Sequence, residues 1–573
     1  MKFIHVYDSE SFTGLVKNNL INEETGFKVQ HNFSMHDDIK FNSVAKKGSV
    51  LHSMIKEGNR PFYVDRLAGG TKYHPYVFDR GLINEYRDML GDWFLGFQLH
   101  ELGGNRRNDW NKVANVMKGE LFPYELDTLK DRLFAPEATA PNKHPIYRLT
   151  QGIPEDYCNC RPPQTYEEVR KDLIDVIQLR MHETDGMIMC CDSDTQICYL
   201  ENQLGVQTFM PEVGGQMPHM RVQLALNRGM ANAYNKRWGT YYECWFLADG
   251  KHTKPVFHTH PYNEWHMSQG QFCDDFTSVG SNGGTSRRLQ RRIFYYSLMG
   301  GAEFISEEWG SNSCYCNMDT FELSSYGLLK KEFIDFSLKH KNMSPRSPIA
   351  IVLPPDYFSV PIGSYHIREI GALHMAYCRI NLTPAKAERF RKIHDLMKYI
   401  YKRQDKDIYG NEGHTMQNSR FGDLFDVIYS DSPEAAFGKY DLLIDADPDG
   451  VFALKMGNKF PIIKNDDLEK IGHTINEVAK KVLPITVDSL HWVLSDDENG
   501  HYLTVFNNEG NTRTVANGDV IDHKADALTT IHTKPGIELH VLYASSDAIR
   551  LEKKKDGEYS LFVPATEMVS LNY

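Results

Sequence analysis

The sequence predicts an α/β protein: a (β/α)8 TIM barrel, followed by a flavodoxin-like α/β domain and a C-terminal β-sandwich. Short apolar or β-branched runs alternate with helical stretches up to about residue 340, which is typical of parallel α/β folds. Most of these runs end in a polar residue. The pattern changes after residue 345 and again near residue 485. The predicted domains are therefore 1–345, 346–482 and 483–573.

Eight apolar runs are candidate strands of the barrel, and helical stretches lie between most of them, as a (β/α)8 fold requires. The first β/α unit has the weakest pattern. The candidate strands are 2–9, 27–34, 61–68, 93–101, 185–193, 205–214, 239–246 and 301–310. The predicted helices include 83–91, 165–182, 219–236 and 284–299.

Polar residues at the strand ends favour a barrel over the alternative, a doubly wound sheet. In a barrel the C-terminal ends of the strands converge on one mouth, where active sites lie. In an open sheet the same ends line one edge and cannot converge. The residues at or near these ends are Asp8, Ser34, Arg66, Glu101, Asp192, Glu212, Glu243 and Glu308.

The two later domains are predicted from their own patterns. A fresh apolar strand within 347–358 starts a second, smaller α/β unit that carries no GxGxxG motif, so no nucleotide site is predicted. Its further elements are strands at 421–431, 439–447 and 459–465 and helices at 384–404 and 466–481. From about residue 485 short strands alternate with turn signals, which predicts a β-sandwich.

Composition limits the classes of function. Of 573 residues, 41% are hydrophobic and 24% charged, a balance normal for globular proteins. The net charge is −12, and the densest basic run, RRLQRR at 287–292, falls on a predicted helix where ion pairs or a solvated face are expected. Nucleic-acid binding is therefore not predicted. No apolar run is long enough for a transmembrane helix, and the N-terminus lacks a signal-peptide apolar region, so we expect a cytoplasmic protein.

The ten cysteines show none of the paired CxxC spacings typical of structural zinc sites. Reduced thiols are the expected state. We expect no cofactor and no structural metal.

The main functional prediction concerns Glu101 and Glu243. Glu243 lies in WGTYYECW (238–245), where burial of a lone carboxylate among aromatic residues is costly unless it has a role. Glu101 ends the fourth predicted strand and Glu243 lies near the end of the seventh, so both are expected at the barrel mouth. Retaining glycosidases need two carboxylates about 5–5.5 Å apart, one ionised and one with a raised pKa. The pair therefore predicts a retaining β-glycosidase acting on a β-linked hexoside.

This arrangement resembles the large (β/α)8 glycosidase clan, clan A, that includes family 42 β-galactosidases. YYECW resembles the nucleophile strand of that family, and SRRLQRRIFYYSLMGGAEFISEEWG resembles the helix and last strand that follow it. SPIAIVLPPDY resembles the start of the second domain of that family, which is flavodoxin-like and builds a trimer. The family 164 β-mannosidases are similar in domain order.

The resemblance implies that Glu101 is the acid/base, that Glu243 is the nucleophile and that the chain forms a homotrimer. In this clan the acid/base usually follows an Asn, whereas here it follows His100. Glu212 is the chief rival of Glu101 for the acid/base role.

Other residues near the predicted mouth are candidates for binding the sugar, because aromatic side chains form platforms under sugar rings and polar ones bind hydroxyls. The candidates are Arg66, His100, Asn105, Glu212, Tyr241, Trp245, His258, His260, Glu308 and Trp309. Long segments after predicted strands 4 and 7 favour a pocket and exo action, on a β-galactoside or a β-mannoside.

Two other classes of function stay open. The segment HTHPYNEWH carries His258, His260, Glu264 and His266, a set suited to a divalent metal in a metal-dependent hydrolase or a lyase. The third class is a non-catalytic carbohydrate-binding protein. Two glutamates at facing strand ends argue against it, because a binding surface does not need them.

Overall fold

A computed structural model describes parts of each of the three predicted domains, and the elements below lie within its ranges. The described residues are 1–7, 9–29, 61–64, 84, 87–100, 102, 165–192, 197–214, 220–243, 286–308, 314–358, 372–375, 378–401, 416, 421–514 and 518–573.

The N-terminal domain is built on a large, curled parallel sheet of nine strand segments. They are β1 (Lys2–Tyr7), β2 (Thr25–Val29), β3 (Pro61–Val64), β4 (Gly96–His100), β5 (Ile188–Asp192), β6 (Thr208–Gly214), β7 (Arg237–Trp238), β8 (Thr240–Glu243) and β9 (Phe304–Glu307). From β1 to β6 each strand pairs in parallel with the next. The sheet then continues through β8 to β9, and β9 pairs with β1. These pairings close the sheet into a barrel-like ring, as predicted.

Helices connect the strands of this ring. They are α1 (Ser9–Lys17), α2 (Tyr166–Glu183), α3 (Cys198–Gln203), α4 (Met220–Tyr234), α5 (Arg287–Met299) and α6 (Ser325–Lys339). Local sequence sets several of their starts. Thr165 and Glu168 form a capping box at the start of α2, and the Ser286 and Ser324 hydroxyls accept backbone N–H groups at the starts of α5 and α6.

Alternate strand residues separate the inside of the ring from the helix layer. One buried cluster draws only on strands: Ile4, Phe62, Tyr63, Met189, Cys191, Met210, Tyr241 and Phe304. Because it contains no helix residue, this cluster is the interior of the ring. Tyr242, the next residue after Tyr241, packs instead on Phe294 of α5 and Tyr326 of α6.

Gly239 separates β7 from β8 and has a steric reason to be glycine. A Cβ atom at this position would lie 2.5 Å from the ring of Phe304, which belongs to the interior cluster. The strand predicted at 239–246 is observed as β8, and Gly239 separates it from the short strand β7, which precedes the predicted range.

The next unit contains a four-stranded parallel sheet in the order β16-β13-β17-β18. Its elements, with the hairpins and the short strand that precede or interrupt it, are β10 (Tyr315–Asn317), β11 (Glu322–Leu323), β12 (Ser344–Pro345), β13 (Ile349–Leu353), β14 (Ala372–Met375), β15 (Cys378–Asn381), α7 (Pro384–Tyr401), β16 (Phe425–Tyr429), α8 (Glu434–Phe437), β17 (Leu442–Asp445), α9 (Val451–Met456), β18 (Ile462–Lys464) and α10 (Leu468–Val482). The order matches the first four strands of a flavodoxin-like sheet, while the assignment to that fold stays a prediction.

The C-terminal part forms antiparallel sheets from the strands β19 (Ile485–Val487), β20 (His491–Asp497), β21 (Gly500–Phe506), β22 (Asn511–Thr514), β23 (Gly518–Ile521), β24 (Ala527–Thr533), β25 (His540–Ala544), β26 (Arg550–Lys555), β27 (Glu558–Val563) and β28 (Met568–Asn572). One sheet has the order β12-β20-β21-β28-β25 and another the order β19-β24-β27-β26. The antiparallel strands agree with the prediction, and the sandwich and the three domain boundaries stay predictions. The pairing of β12 with β20 shows that residues 344–345 already belong to the C-terminal sheet.

Buried polar contacts join the barrel to the second unit. Arg228 of α4 is almost fully buried, and its guanidinium lies 2.6 Å from Asp426 and 3.1 Å from Asp423. It also donates to the carbonyl of Phe425 at 2.7 Å. The next residue, Gly229, lies so close to the backbone of Val427 that a Cβ atom would overlap its carbonyl oxygen.

The basic run at 287–292 lies on α5, as predicted, and its arginines form ion pairs and a buried hydrogen bond. Arg288 pairs with Glu567 at 2.9 Å and Arg291 with Glu332 at 3.4 Å. Arg292 is fully buried and donates to Asn508 at 3.0 Å. These contacts hold α5 against α6 and the C-terminal part of the chain. In the part of the chain that the structure describes, no helix is long and apolar enough to cross a membrane.

Candidate active site

The structure describes four of the predicted site residues with their side chains: His100, Glu212, Tyr241 and Glu308. Glu243 is the last residue of β8, and its position along the backbone is described. The other candidates, Arg66, Glu101, Asn105, Trp245, His258, His260 and Trp309, lie outside the described residues. Their roles stay predictions.

The rings of His100 and Tyr241 meet across the interior of the barrel-like ring. His100 ends β4, Tyr241 lies in β8, and the two strands are separated around the ring by β5 and β6. The ring centroids are 5.9 Å apart in an edge-to-face arrangement, and His100 is 5% exposed while Tyr241 is fully buried. This contact places the C-terminal ends of β4 and β8 at the same mouth of the barrel.

Position 101 follows His100 directly, and position 243 lies two residues beyond Tyr241. The ring contact therefore joins the strand that leads to position 101 and the strand that carries position 243. It also gives His100 a structural reason to stand before Glu101.

Lys28 of β2 is a buried residue of this site that sequence reasoning missed. Its ammonium donates to the backbone carbonyl of Glu308 at 2.9 Å and to the Tyr241 hydroxyl at 3.3 Å. It also lies 4.8 Å from the centroid of the Tyr241 ring. The available signal was the alternation in the strand, because Phe27 packs outward and Lys28 therefore points inward.

Glu212 of β6 lies beside this group and is fully buried. Its partner in the parallel register between β6 and β8 is Tyr241. Of the sequence-predicted carboxylates whose side chains are described, Glu212 is therefore placed by register nearest the tyrosine.

Glu307 is the last residue of β9 and Glu308 follows it, so the alternation of strand side chains assigns the two glutamates to opposite faces. Glu307 points away from the mouth into the layer between β9 and α6, where it accepts hydrogen bonds from Tyr326 at 2.6 Å and Lys330 at 2.8 Å. Burial acts to raise the pKa of Glu307, but the Lys330 charge and a contact with His5 outweigh it and lower this pKa to about 2. Glu307 therefore belongs to the layer between β9 and α6, and strand alternation assigns Glu308, the residue after β9, to the side of the mouth.

A further hydrogen bond crosses the interior below these residues. The Tyr63 hydroxyl of β3 lies 2.8 Å from the Ser306 hydroxyl of β9. Both side chains are fully buried. This bond and the Lys28 contacts form a polar floor under the mouth, which includes two members of the interior cluster, Tyr63 and Tyr241.

Within the described ranges, no group of three or more His, Cys, Asp or Glu side chains is arranged to hold a metal ion. The segment HTHPYNEWH lies outside those ranges, so the metal site considered from the sequence is untested.

No protein-family model matches the chain, and no curated protein matches it. Among solved structures, the chain is similar to the catalytic module of a family 98 glycoside hydrolase from Streptococcus pneumoniae TIGR4, in complex with the H-disaccharide blood group antigen. The identity is 7% and the TM-score 0.42, over 100% of this chain and 98% of that chain. It is also similar to a rhamnosidase from Novosphingobium sp. PP1Y, with 8% identity and a TM-score of 0.29, over 71% of this chain and 39% of that one. Because both TM-scores lie below 0.5, these likenesses carry no argument of their own.

Proposed function

We propose that the chain is a retaining β-glycoside hydrolase in which Glu243 is the nucleophile and Glu101 the acid/base. The observation that carries the proposal is the contact between the His100 and Tyr241 rings. This contact supports the proposal that the strand ends next to positions 101 and 243 open into the same active-site mouth. Position 243 is two residues beyond Tyr241, and strand periodicity is two, so this position belongs to the inward set of β8.

The proposed reaction has two steps. The Glu243 carboxylate attacks the anomeric carbon while Glu101 gives a proton to the leaving oxygen, so the glycosidic bond breaks and a glycosyl ester forms. Glu101, now ionised, then takes a proton from a water molecule, which attacks the anomeric carbon and releases Glu243. The mechanism requires one carboxylate that stays ionised and one with a higher pKa, hence two unlike surroundings.

The proposed substrate is a β-linked hexoside, a galactoside or a mannoside, cleaved from its end. This part rests on the resemblance to family 42 and family 164 enzymes and on the long segments that follow β4 and β8. The same resemblance supports a homotrimer, for which light scattering should give three times the mass of one chain. A monomer at micromolar concentration would contradict it.

A panel of aryl β-glycosides tests the activity. We expect the wild-type protein to hydrolyse at least one of the galactoside, mannoside, glucoside, fucoside and glucuronide. Glu243→Gln should lose at least ~10³-fold in kcat, because no carboxylate is left to form the ester. Glu303→Gln is the matched control. It is the same substitution at the residue that precedes β9, at the end of the barrel away from the mouth, where Glu303 pairs with Arg237 and Lys2. It should keep wild-type kcat.

Azide rescue separates the two roles. With azide and an activated aryl substrate, Glu101→Ala should give a glycosyl azide of retained configuration, and Glu243→Ala one of inverted configuration. Wild-type turnover by Glu243→Gln would refute the proposal. Activity abolished by a chelator, with metal bound in the purified protein, would favour a metal-dependent hydrolase instead.

A further inference from the structure

His491 is a titratable residue buried where the three parts of the chain meet. It is the first residue of β20, and its side chain is fully buried. Its ring centroid lies 5.0 Å from that of Tyr296 on the barrel helix α5 and 5.5 Å from that of Phe506 in β21. The carbonyl of the next residue, Trp492, accepts a 2.7 Å hydrogen bond from the amide of Asp423, which precedes β16. His491 therefore lies at a junction formed by β20, α5 and the chain just before β16.

The surroundings of the His491 ring suit its neutral form. Among the residues that the structure describes, neither ring nitrogen has a hydrogen-bond partner. A neutral imidazole carries one N–H donor, whereas an imidazolium carries two donors and a full charge. Burial of a charge without hydrogen bonds costs far more than burial of a neutral polar group. The closed junction therefore accommodates the neutral ring and penalises the charged one.

The charged groups of the junction add to this penalty. The guanidinium of Arg221 on α4 lies 5.5 Å from the centroid of the Tyr401 ring on α7. Burial, together with the Arg221 charge, holds the pKa of His491 well below its ordinary value of 6.5. The Asp423 carboxylate already pairs with Arg228 of α4 at 3.1 Å. The titratable and charged groups around the ring are Arg221 and Arg228 of α4, Tyr296 of α5, Tyr401 of α7 and Asp423 before β16.

We propose that His491 makes this junction acid-sensitive, so that protonation of its ring shifts the junction toward an open form in which β20 has left α5 and residue 423. Opening separates the His491 and Tyr296 rings and breaks the hydrogen bond between Asp423 and Trp492. Water then solvates the imidazolium, which the closed junction cannot do. Because only a proton is taken up, a return to neutral pH closes the junction again.

Linkage gives the sign and the size of the effect. In the open form His491 titrates near the ordinary histidine pKa of about 6.5. The closed form has the lower pKa, so the open form takes up the proton first as the pH falls. The stability that neutral His491 gives the closed form is complete above about pH 6.5 and is lost progressively below it. Between pH 7.5 and 5.0 this one group raises the opening constant by up to about 30-fold, the limit for a closed form that stays neutral.

Hydrogen–deuterium exchange of the full chain, resolved by mass spectrometry of its peptides, measures the opening. The amide of Asp423 is the most direct reporter, because its acceptor is the Trp492 carbonyl across the junction. Exchange rates at pH 7.5 and 5.0 are divided by the intrinsic rates at the same pH to give protection factors. In the wild-type protein the protection factor at Asp423 should fall on acidification, while amides of β1 and β4 keep theirs.

Substitutions at position 491 isolate the contribution of the imidazole. His491→Phe keeps an aromatic ring beside Tyr296 and Phe506 but cannot take up a proton. Its loss of protection at Asp423 between the two pH values should be about 10- to 30-fold smaller than that of the wild-type protein. His491→Gln, which is also uncharged, should behave in the same way and serves if the Phe variant folds poorly. The matched control is His473→Phe, at an exposed position on α10, which should keep the wild-type pH dependence.

Three outcomes would overturn the proposal. The first is an equal loss of protection at Asp423 in the wild-type protein and in both position-491 variants. The second is a loss in the amides of β1 and β4 as large as that at Asp423, since acid would then unfold the whole chain. The third is the same change in His473→Phe as in His491→Phe. None of these measurements depends on Glu243, so the proposed function is tested separately.

Discussion

Replacement of Lys330 by Met would break the buried ion pair in the wall between β9 and α6. The Lys330 ammonium lies 2.8 Å from the Glu307 carboxylate, and both side chains are fully buried. The substitution would leave a carboxylate in the core with Tyr326 as its remaining short hydrogen-bond donor. Met has a similar length and no charge, so packing changes little.

The size of the effect follows from the pKa of Glu307. Its ordinary value is 4.5 and the surroundings lower it to about 2. At about 1.4 kcal/mol per unit, the ionised form is stabilised by ~3 kcal/mol. Removal of one partner of a buried pair generally costs about 3–5 kcal/mol. We therefore expect Lys330→Met to lower the free energy of unfolding by about 3 kcal/mol at pH 7.

The same pKa gives the sign of the pH dependence. Because the folded-state pKa of Glu307 lies below the unfolded one, its contribution is complete above pH 4.5 and is lost as the pH falls toward 2. The difference between wild type and Lys330→Met should therefore shrink on acidification below pH 4.5.

Urea unfolding followed by near-UV circular dichroism measures the loss, with Glu307→Gln and the double variant completing a double-mutant cycle. We expect a coupling energy of at least about 2 kcal/mol, with the double variant more stable than the sum of the single losses predicts. A coupling below about 0.5 kcal/mol would show that the pair does not hold this wall.

Two further substitutions test other parts of the fold. Burial raises the pKa of Glu201 in α3 to about 7 from 4.5, so its ionisation opposes folding as the pH rises through that window. Glu201→Gln should accordingly raise the urea midpoint at pH 8 and leave it nearly unchanged at pH 5, and an equal effect at both pH values would contradict this. Gly229→Ala should force α4 away from β16, since the new Cβ atom would overlap the Val427 carbonyl, at a cost of about 1–3 kcal/mol. Faster limited proteolysis between the barrel and the second unit would report it, with Ala231→Gly as a helix control, and a Gly229→Ala protein as resistant as wild type would contradict it.

The strands of the barrel were predictable because their signal is local. Each of β3 to β6, β8 and β9 lies inside a run selected for apolar or β-branched residues, and so does β1. The observed strands are shorter than the runs, as in β4, which starts at Gly96 after a 3-10 turn at Gly91–Trp93. For β2 the predicted run starts two residues late, at Phe27, because Thr25 and Gly26 carry little apolar signal.

The floor of the site was not predictable, because its contacts join residues far apart in the chain. Lys28 meets partners 213 and 280 positions away. Alternation showed that only one of Glu307 and Glu308 points inward, but the choice depends on register with β8 and on α6, which supplies Tyr326 and Lys330. The pairing of residues 344–345 with β20 likewise depends on a partner about 150 residues further on.

The most direct test of the central claim is to trap the covalent intermediate. The wild-type protein would be inactivated with an activated 2-deoxy-2-fluoro β-glycoside of the sugar it hydrolyses, digested, and the labelled peptide sequenced by mass spectrometry. We predict one glycosyl group per chain, bound as an ester to Glu243. A label on Glu212 or within 301–310, or unimpaired turnover without any label, would contradict the account.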